Sequence, residues 1–203
     1  MPSWTLQDSD EVAAANKYTF FKSSSASIAR VQPGEHVKLV FLVDADDPDA
    51  CSAERMWVIV DRIEADGSFT GRLDNQPTWI EDLAPGDEVA FDARHIINTA
   101  HDDKDNLVER YIKRCFVTQR ILGDGANVGY LYREEPDNEE DSGWRFTAND
   151  ESDEYMDDAD NVAFVSIGAV LSKDDAFIDL LDAPIGAAFI WDDQAREFVT
   201  LED

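Results

Sequence analysis

The segment ERMWVIVDRIEADGSFTGRLDN (residues 54–75) contains two strand-like runs on either side of Asp66-Gly67. Apolar and β-branched residues dominate the first run, as is typical of strands. An Asp-Gly pair between two such runs is a strong signal for a tight β-hairpin turn. This stretch therefore predicts an antiparallel hairpin and makes the first half of the chain β-rich.

Pro-Gly turns precede two other predicted strands of this half. Pro33-Gly34 introduces an apolar strand over Val37–Val43, and Pro85-Gly86 introduces a second short β-type run. The first 30 residues instead favour helices, with Asp8 or Ser9 as one N-cap and the Ser23–Ser25 cluster as another. We expect a small, curled antiparallel sheet with short helices beside it.

The second half is also predicted to consist mainly of strands. RCFVTQRIL (114–122) and YLYREE (130–135) are interpreted as strands joined by a turn, and residues 187–201 as a closing hairpin. Because no βαβ rhythm appears, the fold class is α+β: two small β-rich units with mostly antiparallel sheets and short flanking helices. We predict an N-terminal domain over 1–98, a linker over 99–110 and a C-terminal acidic domain over 111–203.

The glycines of GDGANVG (123–129) are compatible with either a nucleotide-binding loop or a hairpin turn. A dinucleotide fingerprint would place its third glycine three residues after the second, and here Gly129 follows Gly125 by four. A phosphate would also face a negatively charged surface. The hairpin turn is therefore preferred.

Charge is the outlying property of the chain. It carries 45 acidic and 17 basic residues, a formal net charge of −28. Residues 1–115 hold 22 acids and 12 bases, whereas residues 116–203 hold 23 acids and 5 bases. Such a field repels nucleic acid and anionic membranes and favours a basic protein partner.

The composition also predicts where the protein resides. An apolar content of 43% supports a folded core, but no run approaches the roughly 18 apolar residues of a membrane helix. The start, MPSWTLQDSDEV, lacks the basic and apolar regions of a secretory signal. Cys51 and Cys115 are too few for a disulfide framework or a zinc ribbon. We expect a cytoplasmic protein.

Neither an enzyme nor a cofactor site is predicted. No nucleophile motif is recognisable, and three histidines lie outside any metal-binding spacing: His36, His95 and His101. NDESDEYMDDADN (149–161) is a candidate calcium-binding loop, because it is rich in the oxygen ligands that calcium prefers. An EF-hand counted from Asp150 would need glycine where Tyr155 stands and glutamate where Asn161 stands. We therefore expect no dedicated metal site.

The acid-rich stretch DSGWRFTANDESDEYMDD (141–158) is the main candidate site. Strand alternation would place Trp144 and Phe146 on one face and Arg145 on the other. The aromatic residues either anchor an acidic loop to the core or, together with Tyr155 and Met156, form exposed anchors for a partner. The predicted partner-binding residues are Trp144, Arg145, Asp150, Glu151, Asp153, Glu154, Tyr155, Asp157 and Asp158.

Residues 114–189 resemble the bacterial immunity protein family 33, also catalogued as domain of unknown function 2185. Asn149 stands where that family leads us to expect a glycine. The resemblance rests on Gly129, Tyr130, Arg133, Glu134, Pro136, Ser142, Gly143, Trp144, Arg145, Phe146, Asp150, Glu151 and 180–184.

The first half is similar to a second family, domain of unknown function 2314. Its markers are Trp57, Val58, Gly71, Asn75, Pro77, Gly86 and Asp87. Neither resemblance implies a catalytic residue. We hypothesise a non-enzymatic immunity protein that occludes a basic toxin or effector. The alternative is a housekeeping regulatory or small-molecule-binding protein with its site near Trp57 and Trp79.

Overall fold

The computed structural model describes residues 2–44 and 51–201. The chain forms two compact units, one ending at Asn106 and the other starting at Leu107. This division falls inside the predicted linker, residues 99–110. That segment nevertheless contains the last residue of one strand and a short helix.

The first unit is a six-stranded antiparallel sheet. Its strands are β1 (Trp4–Leu6), β2 (His36–Val43), β3 (Ala53–Ile63), β4 (Phe69–Leu73), β5 (Glu88–Phe91) and β6 (Ile96–Thr99). The sheet order is β1-β2-β3-β4-β5, and β6 also pairs with β2. The predicted hairpin is confirmed as β3 and β4, with Gly67 at a φ of 88° in the turn.

Side-chain caps begin both helices of this unit, as the sequence predicted. Asp8 caps α1 (Ser9–Ala15) by accepting a hydrogen bond from the Asp10 amide, and Ser24 caps α2 (Ser25–Ile28) by accepting one from Ser27. These bonds satisfy amides that have no partner within the helix. The core beneath is built from alternating residues of β2 and β3: Val37, Leu39, Phe41, Met56, Val58 and Val60.

The second unit is a six-stranded mixed sheet. Its strands are β7 (Arg114–Thr118), β8 (Tyr130–Arg133), β9 (Asp141–Thr147), β10 (Val162–Ser166), β11 (Ala188–Asp192) and β12 (Glu197–Thr200). The order is β10-β7-β9-β8-β11-β12, and only β7 and β9 run parallel. The predicted closing hairpin is confirmed as β11 and β12.

The predicted hairpin around GDGANVG is wrong. β7 ends at Thr118, and Gln119–Leu122 forms a helix, α4, rather than continuing the strand. β9 then inserts between β7 and β8, so these two strands are not paired. β9, whose residues are buried except for Thr147, thus takes an interior position, and its aromatic side chains are buried on one face.

Short helices complete the second unit. They are α3 (Leu107–Arg110), α4 (Gln119–Leu122), α5 (Asp153–Met156) and α6 (Ile167–Leu171). The largest fully buried side chains are Trp144, Phe146, Phe177, Leu131 and Ile121. The α+β class with two small, mostly antiparallel sheets is confirmed. Within the described ranges, no helix is long and apolar enough to cross a membrane.

Candidate partner-binding surface

The acid-rich stretch divides into two parts with different surroundings. Residues 141–147 are β9, of which only Thr147 is not buried. Residues 149–161, called the acidic loop below, are mostly exposed and contain α5 and a 3-10 turn over Ala159–Asn161. The nine predicted partner-binding residues therefore occupy two environments.

Trp144 belongs to the core. Its side chain is 1% exposed and lies near the rings of Phe146 and Phe189, with centroids 6.1 and 6.4 Å away. The indole Nε1 donates a hydrogen bond to the Leu181 carbonyl at 3.3 Å. The interpretation of Trp144 as an exposed anchor is wrong, because its ring and its only donor are both used inside the unit.

Arg145 lies on the opposite face of β9 and is also buried, with a side chain 7% exposed. Its Nη1 and Nη2 donate to the two carboxylate oxygens of Asp141 at 2.9 and 2.8 Å. Its Nε donates to Glu134 at 2.6 Å, and the guanidinium lies 4.7 Å from the Phe116 ring. With these contacts made, Arg145 is a structural residue and does not meet a partner as predicted.

The pair formed by Asp141 and Arg145 is held in its ionised form. Hydrogen bonds from the Arg145 guanidinium, with help from the Asp137 and Gly143 amides, hold the pKa of Asp141 well below its usual range. Burial alone would have the opposite effect. The same bonds raise the pKa of Arg145. The charges of β9 are thus satisfied within the fold.

Gly143 allows the backbone of β9 to bulge between Asp141 and Arg145, the two residues of the ion pair. The register between β7 and β9 shifts between Arg114 and Phe116, opposite Gly143, whose φ is +83°. A Cβ on Gly143 would collide with the carbonyl oxygen of Glu134. Only glycine suits a backbone that is both left-handed and this close to the neighbouring strand.

Asp150 and Glu151 attach the acidic loop to the sheet. Arg120 Nη2 donates to Asp150 at 2.6 Å, and the Thr118 hydroxyl donates to Glu151 at 2.5 Å. Although burial would raise the pKa of Glu151, hydrogen bonds from Thr118 and the Ala148 amide lower it. Arg120 likewise lowers the pKa of Asp150. Both carboxylates thus position the loop.

The rest of the acidic loop presents carboxylates to solvent. Ser152 caps α5 by accepting a hydrogen bond from the Tyr155 amide, and Asp158 caps the following 3-10 turn. Asp153, Glu154 and Asp157 are exposed, and none of them has an ion-pair partner among residues 2–44 and 51–201. Tyr155 is half-buried, while Met156 is 43% exposed. The predicted ordered array of exposed acids is present in this part of the loop.

An acidic groove of about 400 Å³ adjoins the start of this loop. Trp191 in β11 lines it, is 36% exposed and packs edge-on against Phe198 at 5.2 Å. Its Nε1 donates to Asp193 at 3.0 Å. The carboxylates along this groove, called the Trp191 groove below, belong to Asp150, Asp174 and Asp193.

An aromatic ring beside several carboxylates is suited to a cationic side chain, because the ring face and the negative charges both attract an ammonium or guanidinium group. Trp191 is not among the partner-binding residues predicted from the sequence. Its signal was present in the WDD run at 191–193, where a tryptophan adjoins two acids in a predicted hairpin.

The chain matches the models of two known protein families. The model of the family described as "Uncharacterized protein conserved in bacteria (DUF2314)" matches residues 5–117, more than half of the chain. The chain belongs to the DUF2314 family. A second model, described as "Immunity protein Imm33 domain", matches residues 115–202. No curated protein and no solved structure matches the chain.

The resemblances inferred from sequence are confirmed in their arrangement, with DUF2314 in the N-terminal half and Imm33 in the C-terminal half. The Imm33 match spans β7 to β12, the whole acidic loop and the Trp191 groove. Asn149, which replaces an expected glycine of the Imm33 pattern, has a φ of 68°, in the left-handed region that glycine adopts easily. Neither family description names an enzyme.

The DUF2314 part contains the two tryptophans of the alternative hypothesis. Trp79 is 42% exposed, and its amide donates to Glu54 at 2.7 Å. Trp57 is half-buried, with the Lys38 Nζ 4.5 Å from its ring centroid. Neither ring belongs to the core of the first unit.

The remaining reactive side chains of this DUF2314 protein have structural surroundings. His95 Nδ1 accepts a hydrogen bond from Asp92, His101 pairs with Glu35 at 2.9 Å, and burial raises the pKa of Cys115 to about 12. No three histidine, cysteine or carboxylate side chains come together to hold a metal ion in the parts of the chain that the structure describes.

Proposed function

We propose that this protein is a cytoplasmic, non-enzymatic immunity protein that binds a basic toxin or effector and occludes it. The observation that carries the proposal is the Imm33 match, which encloses both the acidic loop and the Trp191 groove. We place the partner-binding surface on these two features. Trp144 and Arg145 support that surface from beneath and do not belong to it.

Electrostatics support the choice of a basic partner. A net charge of −28 accelerates the encounter with a cationic protein, toward roughly 10⁸–10⁹ M⁻¹s⁻¹ at low salt. At physiological salt the Debye length is about 8 Å, so only carboxylates near the contact contribute. The exposed acids of α5 satisfy this condition for a partner docked beside them.

Tight binding requires an anchor that leaves water on binding. Trp191 supports that role because it is partly exposed and held in place by Phe198 and Asp193. An arginine or lysine of the partner that enters the Trp191 groove would contact the ring and reach Asp150, Asp174 or Asp193. If the toxin acts on nucleic acid, this contact would cover the basic groove that binds phosphate groups and so exclude the nucleic acid.

The test is a capture experiment followed by a growth assay. The tagged chain is incubated with lysate of its source organism in low and in high salt, and retained proteins are identified by mass spectrometry. A retained basic protein is then expressed in a host cell with and without this chain. We expect it to inhibit growth alone and to be neutralised by co-expression.

Two matched tryptophan variants locate the surface. Trp191→Ala should weaken binding by about 2 kcal/mol or more, a factor of roughly 30, and reduce protection. Trp79→Ala removes an equally exposed ring from the other unit and should protect like the wild type. A captured protein that is harmless to cells, or protection unaffected by Trp191→Ala, contradicts the proposal.

The exposure of Trp79 favours one alternative, a housekeeping regulatory or small-molecule-binding protein that acts through its first unit. In that case Trp79→Ala, and not Trp191→Ala, would change the retained molecules, and no growth-inhibiting protein would be among them. The same pair of variants therefore separates the two functions.

A further inference from the structure

A second groove of the C-terminal unit is lined by more bases than acids. It measures about 460 Å³, and its charged lining residues are three bases, Arg110, Lys113 and Arg133, and one acid, Asp182. We call it the Arg133 groove. The two grooves lie toward opposite ends of β8. Gly129, which lines the Trp191 groove, directly precedes β8, and Arg133 is its last residue. Four residues of strand span about 13 Å.

Arg133 is oriented by the backbone and not by an acid. Its Nη1 donates to the Ala183 carbonyl at 2.7 Å, and its Nε donates to the Ser142 carbonyl at 3.3 Å. The guanidinium lies 5.8 Å from the centroid of the Trp144 ring. Two neutral carbonyls fix its position and leave its positive charge uncompensated.

Three other arginines of this unit are paired with acids. Arg145, Arg120 and Arg114 each have a carboxylate within ion-pair distance. For Arg133 and Lys113, no carboxylate lies within that distance among residues 2–44 and 51–201. A fixed guanidinium that keeps its charge where acids are plentiful is prepared for an external anion.

The groove also has apolar walls. Ile167 and Leu181 are buried beside it, and Ile178 is half-buried in the 3-10 turn that crosses the groove. A ligand that fills the groove must therefore combine an anionic group with an apolar one.

We propose that the Arg133 groove binds a carboxylate next to an apolar side chain, as presented by an acidic peptide segment of a protein partner. Arg133 and Lys113 contact the carboxylate, and Ile167, Ile178 and Leu181 receive the apolar group. This inference does not rest on the proposed immunity function, because the groove and its ligand are defined independently of the Trp191 groove.

The test is an NMR titration of the full, ¹⁵N-labelled chain with three probes. These are acetyl-Leu-Glu-amide, the uncharged acetyl-Leu-Gln-amide and inorganic phosphate, each at matched ionic strength. We expect saturable shifts of the Trp144 indole N–H and of the Lys113 and Ser142 amides with the glutamate peptide. The glutamine peptide should bind about tenfold more weakly, because it cannot form a charge-assisted hydrogen bond.

Variants of the groove complete the test. Lys113→Gln should weaken binding about two- to fivefold, and Arg133→Gln about tenfold or more. Lys173→Gln removes an exposed lysine of the same unit that does not line the groove, and it should have no effect. Arg133 also donates hydrogen bonds to two carbonyls, so Arg133→Gln could disturb the fold. Its binding result is used only if its amide spectrum keeps the native dispersion. If it does not, the result for Lys113→Gln alone tests the proposal.

The proposal is overturned by the absence of saturable shifts with the glutamate peptide, by equal affinity for the glutamate and glutamine peptides, or by unchanged binding in Lys113→Gln. Phosphate binding as tight as that of the glutamate peptide would also overturn it, since the groove would then be a site for free oxyanions.

Discussion

β9 and the acidic loop follow one another in the chain and both contain carboxylates, but they use charge in opposite ways. In β9, Asp141 is buried and forms two hydrogen bonds with Arg145. In the loop, Asp153, Glu154 and Asp157 face solvent. The comparison shows that a run of acids in a sequence does not reveal which charges serve the fold and which are available to a partner.

The difference has a physical cause. Transferring a carboxylate from water to the interior is costly unless a cation and hydrogen bonds replace its hydration. β9 contains its own arginine, and Gly143 gives the backbone the bulge that brings the pair together. In the described part of the chain, the loop forms an ion pair with one base, Arg120, which is used by Asp150 at the attachment point.

The largest effect that would sharpen this comparison comes from the core of β9. Trp144→Ala should lower the free energy of unfolding of the C-terminal unit by about 4 kcal/mol, because a fully buried ring is replaced by a cavity. Urea titrations followed by circular dichroism and by tryptophan fluorescence would measure it. Trp191→Ala serves as the exposed control, and similar losses in the two variants would contradict the burial of Trp144.

The next effect tests the internal pairing of charge. Arg145→Met should lower the free energy of unfolding by about 3 kcal/mol, because Asp141 is left buried without its cation. The double variant Asp141→Asn with Arg145→Met should recover part of that loss. Urea titrations of the three proteins check it, and a double variant that is no more stable than Arg145→Met would refute the pairing as the cause.

Gly143 offers a test of the bulge that permits the pair. Gly143→Ala should cost about 2 kcal/mol, since alanine must adopt a φ of +83° and its Cβ meets the Glu134 carbonyl. Gly125 in the same unit also has a positive φ, +77°, but has open space around it. Gly125→Ala should therefore cost about 1 kcal/mol, and equal losses in thermal or urea unfolding would exclude the collision.

The smallest effect on stability is expected in the acidic loop. Replacing Asp153, Asp157 and Asp158 by Asn and Glu154 by Gln should change the free energy of unfolding by less than about 0.5 kcal/mol. Asp150 and Glu151 stay intact because they attach the loop. Association with the captured partner, measured by stopped-flow fluorescence, should become slower and less dependent on salt. Unchanged association rates would remove α5 from the binding surface.

Local signals in the sequence predicted much of the fold. The Asp-Gly turn, the serine and aspartate caps and the alternation of Trp144, Arg145 and Phe146 act over a few residues, and each is found in the structure. The position of β9 between β7 and β8 was not predictable in this way. Parallel pairing of β7 with β9 joins residues about 30 positions apart and leaves no local pattern.

The candidate site was predicted only in part. The exposed acids of α5 were identified, whereas Trp144 and Arg145 were predicted to bind a partner although both are buried. Composition could not separate these cases, because a tryptophan beside acids occurs in both β9 and β11. Exposure is decided by the neighbouring strands: Trp144 lies in the interior of the sheet, while Trp191 lies next to the edge strand β12.

The position of β7 between β10 and β9 has a consequence for the synthesis of the protein. β7 is the first strand of its sheet to leave the ribosome, but its partners β9 and β10 end 29 and 48 residues later, at Thr147 and Ser166. In the first unit, β2, β3 and β4 pair with neighbours in order of synthesis. The first unit can therefore fold during translation, while β7 stays unpaired and exposed to aggregation until most of the second unit has been made.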